Sequence, residues 1–128
     1  MADYTAGVAL DFMAEVAEQV LPPGEPSERF FRLLLAVLDH LRLGRPGDTW
    51  RAVAYYTLWA VRLGGFLPEL SVSRDSRLIA EEMLRNPVGR IGGEWTRETA
   101  ADLRRFLVRR IEEQIERKLL TVPLLEAL

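Results

Sequence analysis

Between Asp48 and Leu70 the chain reads DTWRAVAYYTLWAVRLGGFLPEL, and no other stretch restricts the possible fold as much. Asp48 is a good N-cap, and Gly64 with Gly65 supplies a left-handed residue ahead of the extended Phe66-Leu67-Pro68 exit, so a helix is expected from about Thr49 to Leu63. At about 100° per residue, Trp50, Val53, Ala54, Tyr56, Leu58, Trp59, Ala60, Val61 and Leu63 leave almost no azimuth of that helix polar. A helix that is apolar nearly all round must be covered on nearly all sides, so the remainder of the chain is expected to surround it. The exception is a strip formed by Arg51, Tyr55, Leu58 and Arg62, spaced i, i+4, i+7 and i+11, with two guanidinium groups on either side of a phenol. Two readings of the strip stand side by side. Its arginines snorkel to water or pair with neighbouring carboxylates, or they line a groove for an anionic partner, because a planar guanidinium matches carboxylate and phosphate as a fork.

The flanking segments supply the cover. Tyr4, Val8, Phe12, Val16 and Val20 recur every fourth residue, giving an amphipathic helix from about Asp3 to Val20 that Leu21-Pro22-Pro23-Gly24-Glu25-Pro26 must end. A second helix, about Ser27 to Arg42, presents Phe30, Phe31, Leu33, Leu34, Val37, Leu38 and Leu41 on a broad face, with Arg29, Arg32, Asp39 and His40 outside it. Gly44 and Pro46 mark its end. A short helix through Leu78, Ile79 and Met83, capped by Asp75 or Ser76, must stop before Pro87. Val88 to Glu94 is a glycine-bearing loop that fits no phosphate-binding motif. Thr96 then caps the longest helix, about Arg97 to Leu120, buried through Ala100, Leu103, Phe106, Leu107, Ile111, Ile115 and Leu119, before Pro123 opens a last turn, Leu124 to Leu128. No stretch alternates with period two. The expectation is a single all-α domain over residues 1–128, with five principal helices around the 49–63 helix.

Chemistry is limited by what the chain lacks. It has no cysteine and one histidine, His40, which the dipole of a helix C-terminus favours as a structural residue. No nucleophile motif and no distinctive carboxylate pair is present, so no catalytic residue is assigned and an enzyme is not expected. No run approaches the roughly 18 apolar residues of a membrane span and no basic leader precedes the first helix, so the expected location is the cytoplasm, without a membrane partner. The net charge of -2 conceals segregation: six of the 19 acidic residues and none of the 17 basic ones lie in the first 28 positions. The body is therefore locally basic, which favours an anionic partner. On the long helix, Arg104, Arg105, Arg109 and Arg110 are expected on the outer face, either as a salt-bridged solvated surface or as nucleic-acid contacts.

The order of these landmarks resembles the C-terminal helical domain of the RecO family of bacterial recombination mediators. The segments that carry the likeness are Phe30-Phe31-Arg32-Leu33-Leu34-Leu35 through Leu38 and Leu41, then Leu58-Trp59-Ala60-Val61-Arg62-Leu63-Gly64-Gly65-Phe66-Leu67-Pro68-Glu69-Leu70. The tail, Ile115-Glu116-Arg117-Lys118-Leu119-Leu120-Thr121 followed by Leu124, is similar to the family's closing segment. Many members carry a Cys-x-x-Cys after the proline-leucine exit, as half of a zinc site; Ser73 and Ser76 stand at the corresponding positions, so no metal and no other cofactor is expected. The family's N-terminal OB-fold has no counterpart in this stretch, which makes it a fragment or a shortened relative. The resemblance implies a non-catalytic role in DNA repair and recombination: binding the acidic tail of single-stranded DNA-binding protein, and also RecR and single-stranded DNA, to help RecA load. An acidic peptide with a hydrophobic end and a free carboxylate needs an apolar pocket beside arginine, and two settings offer one: the Arg51, Tyr55, Arg62 strip, and Arg29 with Arg32 around Phe30 and Phe31. The alternative is an unrelated helical adaptor or dimerisation domain.

Overall fold

The computed structural model describes residues 2–21, 27–42, 48–91 and 97–128. Six α-helices are found among them: α1 (Ala2–Val20), α2 (Glu28–Arg42), α3 (Asp48–Leu63), α4 (Arg74–Arg85), α5 (Arg97–Ile115) and α6 (Val122–Glu126), with a 3₁₀ turn at Val88–Arg90. The fold is all-α, as expected. No helix among the described residues is long and apolar enough to cross a membrane. The expected breaks at Pro22 to Pro26, at Gly44 and Pro46, and at Gly92-Gly93, the Thr96 cap and the cap role of the Asp48 side chain lie outside the described residues.

Helix α3 is the centre, touched by α1, α2, α4 and α5. Ala52, Val53, Ala54, Tyr56, Thr57, Leu58, Ala60 and Val61 are all fully buried, and the alanines among them let neighbouring helices approach closely. The two polar groups taken inside are satisfied: Thr57 donates to the Val53 carbonyl at 2.6 Å, and the Tyr56 hydroxyl donates across to the Met13 carbonyl of α1 at 2.7 Å. Phe30 of α2 meets the Tyr56 ring edge to face, centroids 5.8 Å apart. The double glycine ends α3 as expected. Gly65 has φ +80°, its N–H bonds the Arg62 carbonyl, and the Phe66 N–H returns to Val61 at 3.2 Å. Gly64 is needed for a different reason: a Cβ there would stand 2.5 Å from the Phe66 ring, which folds back against the helix end.

Several helices depart from expectation. On α2 the buried residues are Phe30, Leu33, Val37 and His40, and Leu34, Leu38 and Leu41 pack half-buried against the same core, as expected. Phe31, expected inside, is 59% exposed, and His40, expected outside, is buried. Tyr4 of α1 is likewise exposed. On α4 the cap is neither Asp75 nor Ser76 but Ser73, whose side chain accepts from the Ser76 N–H, and Leu78 points outward.

The largest departure is at the end of α5. The helix stops at Ile115, not Leu120; Glu116 adopts φ 58° and the Arg117 N–H reaches back to the Glu112 carbonyl at 3.2 Å. A non-glycine residue in that region is uncommon, and here long-range contacts hold it. The Glu112 carboxylate accepts the Leu119 N–H at 2.9 Å, and Glu15 of α1 accepts the N–H groups of Leu120 and Thr121 and the Thr121 hydroxyl at 2.6 to 2.9 Å. Leu119 is thereby turned into the core and α6 is laid against α1.

Candidate functional site

Helix α2 enters beside the end of α3, and the two frame an open groove of about 520 Å³. Arg29, Arg32, Leu33 and Ala36 line it from α2; Tyr55, Trp59, Arg62 and Leu63 line it from α3. The groove thus brings together Arg29 and Arg32 of one expected setting and Tyr55 and Arg62 of the other; Phe30 is buried in the core, Phe31 is exposed, and neither lines it. Leu33 and Tyr55 are buried at its floor, and the small Ala36 leaves room above them. Arg29 and Arg32 stand exposed on one bank and Arg62 on the other.

The register of the α3 bank differs from the expected strip. Leu58 is fully buried and Arg51 is drawn away, its guanidinium donating to the Ile91 carbonyl at 3.1 Å, just past the 3₁₀ turn. The strip that lines the groove is Tyr55, Trp59 and Arg62, an i, i+4, i+7 set. Trp59 was the residue missed: it reads as one more core aromatic, and only the packing of α4 shows otherwise. Its indole N–H donates to the Met83 carbonyl at 3.0 Å, its ring lies 6.4 Å from Tyr55, and the Arg62 guanidinium sits 5.7 Å from its centroid. Burial pushes the Tyr55 phenol above its ordinary range, so it stays a protonated donor near neutral pH. Arg32 pairs with Glu28 at 2.6 Å, but both side chains are exposed, and such a pair exchanges readily for another anion.

The arginines of α5 are placed otherwise. Arg104 is not on the outer face: it is 4% exposed, stacked 4.7 Å from the Trp50 centroid and paired with Glu126 at 3.1 Å. Arg105 grips the same carboxylate through two nitrogens, at 3.3 and 3.1 Å. Arg110 donates to the Phe66 carbonyl and pairs with Glu113. Arg109 is exposed and lies in the field of Asp102. Glu126 of α6 thus engages Arg104 and Arg105, while Glu113 and the Phe66 carbonyl engage Arg110.

Ser73 and Ser76 do not fit a zinc site. Hydroxyls are poor zinc ligands, and both serines are engaged with each other and with Asp102 of α5. No group of three or more histidine, cysteine, aspartate or glutamate side chains placed to hold a metal exists among the described residues.

Three carboxylates are held below their ordinary range. The Ser76 hydroxyl bond does this for Asp102, and the Arg105 and Arg104 bonds do it for Glu126 against its partial burial. At Glu15 burial works to raise the pKa, yet the bonds from Thr121 and Leu120 outweigh it. A folded-state pKa below the unfolded one contributes stability that is present above the ordinary carboxylate range of about 4 and is lost as pH falls through the folded value. Thermal unfolding should accordingly be flat from pH 7 to about 5 and fall steeply below about 4.5. A Glu15→Gln, Glu126→Gln double variant should melt lower than the parent at pH 7, with the gap narrowing as pH falls below the ordinary carboxylate range. A constant gap across that range would show that these two carboxylates are not the source.

The sequence profile of the family described as "Recombination protein O C terminal" matches residues 1–77, a span that contains every residue lining the groove. A protein named DNA repair protein RecO, from Koribacter versatilis (strain Ellin345), is 37% identical over an alignment 161 positions long, covering 98% of this chain and 65% of that protein. The chain thus spans a little under two thirds of that relative's length. No solved structure matches at a significant level. The all-α architecture, the α3 helix running into Gly-Gly-Phe-Leu-Pro and the profile match agree, and the chain belongs to the family of the C-terminal domain of recombination protein O.

Proposed function

We propose that this domain is a non-catalytic module of DNA repair and recombination that recruits through the α2–α3 groove, by taking the acidic tail of single-stranded DNA-binding protein. The observation that carries the reading is the convergence of Arg29, Arg32 and Arg62 around an apolar floor of Leu33, Tyr55 and Trp59. Such a peptide ends in a hydrophobic side chain and a free carboxylate. The side chain would rest on Trp59 and Leu33, the carboxylate would meet the Arg62 fork, and the acidic residues upstream would face Arg29 and Arg32. Steering by this charge gives an on-rate that falls with salt, while the apolar contact does not.

RecR and single-stranded DNA are the further partners this reading carries, with RecA loading as the outcome they serve. Because Arg104, Arg105 and Arg110 are paired within the domain, the α5 surface is a weaker candidate for phosphate than the groove is for carboxylate. Family membership favours this reading over that of an unrelated adaptor or dimerisation domain. The test is fluorescence anisotropy of a labelled acidic peptide with a hydrophobic, free-carboxylate end, titrated at low and moderate salt beside labelled single-stranded DNA. Saturable peptide binding with weak DNA binding is expected. Tight DNA binding that collapses with salt, together with no peptide binding, would replace the groove by the α5 face.

A further inference from the structure

Trp59 owes its place in the groove to more than its own helix. The Met83 carbonyl that receives its indole N–H lies in the last turn of α4, so the tilt of the ring follows the position of α4. Ala80 and Met83 bury that helix, but apolar contact is non-directional and does not by itself set how far a helix slides or turns. Directional bonds occur at its other end. An ionised carboxylate can only accept, so the Ser76 hydroxyl donates to Asp102 Oδ2 at 2.7 Å, which leaves the Ser76 oxygen open to the Ser73 hydroxyl at 2.9 Å. Ser73 Oγ accepts the Ser76 N–H at 3.2 Å, and the Ser73 N–H goes to the same Oδ2, also at 3.2 Å. Ser76 is fully buried in this arrangement, while Asp102 keeps contact with water.

We propose that Ser73, Ser76 and Asp102 form a metal-free clasp that fixes the N-terminus of α4 on α5 and, through this 12-residue helix and the Met83 carbonyl, positions Trp59 in the groove. Linked hydroxyl bonds polarise one another, and each is directional, so the clasp adds a directional register to the apolar packing of Ala80 and Met83. These are positioning residues and touch no ligand. The effect on binding rests on the groove being the peptide site; the effect on Trp59 does not.

The experiment follows the three tryptophan indole N–H signals of the ¹⁵N-labelled 128-residue chain, with Trp59 assigned by Trp59→Phe, alongside peptide anisotropy. Asp102→Ala should raise hydrogen exchange at the Trp59 indole about tenfold and weaken the labelled acidic peptide about three- to tenfold, the span of one lost hydrogen bond. Asp102→Asn should restore both to within about twofold, because both bonds to the carboxylate converge on one oxygen and an amide oxygen can take its place. Zinc or a chelator should shift none of the three signals. A folded Asp102→Ala chain with parental Trp59 exchange overturns the proposal, as does a Trp59 shift on adding zinc. If the parental chain fails to bind peptide while Trp59 exchange still rises, the clasp stands and the groove reading falls. Should Asp102→Ala not fold, Ser76→Ala removes the 2.7 Å bond alone and is held to the same exchange criterion.

Discussion

Arg62→Ala should weaken binding of the acidic peptide by about 10- to 100-fold and leave the melting temperature within a few degrees of the parent, whereas Arg51→Ala should do the reverse. Arg62 is exposed above the Trp59 ring, where a charge-assisted bond to a peptide carboxylate is worth about 1.5 to 3 kcal/mol. Removing it takes away ligand contact and little packing. Arg51 lies on the same helix about 16 Å away along its axis, and its guanidinium holds the Ile91 carbonyl. Its loss should cost stability by about 1 to 2 kcal/mol and leave affinity within about twofold. Peptide titration and thermal melts of the two variants separate these roles. Equal loss of affinity in both would return the site to the broader strip that spacing suggested.

Leu58→Ala should be among the most destabilising single changes, lowering stability by about 2 to 5 kcal/mol and the melting temperature by roughly 10 °C or more. Leu58 is fully buried on α3, a helix packed against α1, α2, α4 and α5, so its truncation leaves a cavity in the core. A urea midpoint unchanged in Leu58→Ala would contradict the packing described.

The central helix was legible because its signals are local and concordant. Apolar residues at every azimuth, with Gly64 and Gly65 ahead of Pro68, admit one reading, and the observed α3 differs from it by a single residue at the N-terminus. The groove was legible in part of its membership. Tyr55, Arg62, Arg29 and Arg32 were named from charge beside aromatic residues, and they line one groove; Arg51 and Trp59 changed places. Periodicity reports which face a side chain leaves from, not where a long side chain ends, and a guanidinium on a flexible stem goes to whichever carbonyl the next element brings near.

The sequence by itself determined the helical class and the identity of the central helix, because each follows from short-range periodicity and composition. Only the tertiary structure decided the end of α5, the burial of Arg104 and the union of two arginine clusters in a single groove. Each of these depends on partners far away in the chain: Glu15 bonded to Thr121, Glu126 to Arg104, and α2 laid against α3. Glu116 carries no glycine or proline signal, and its left-handed turn exists because carboxylates at positions 15 and 112 collect the N–H groups that the broken helix releases.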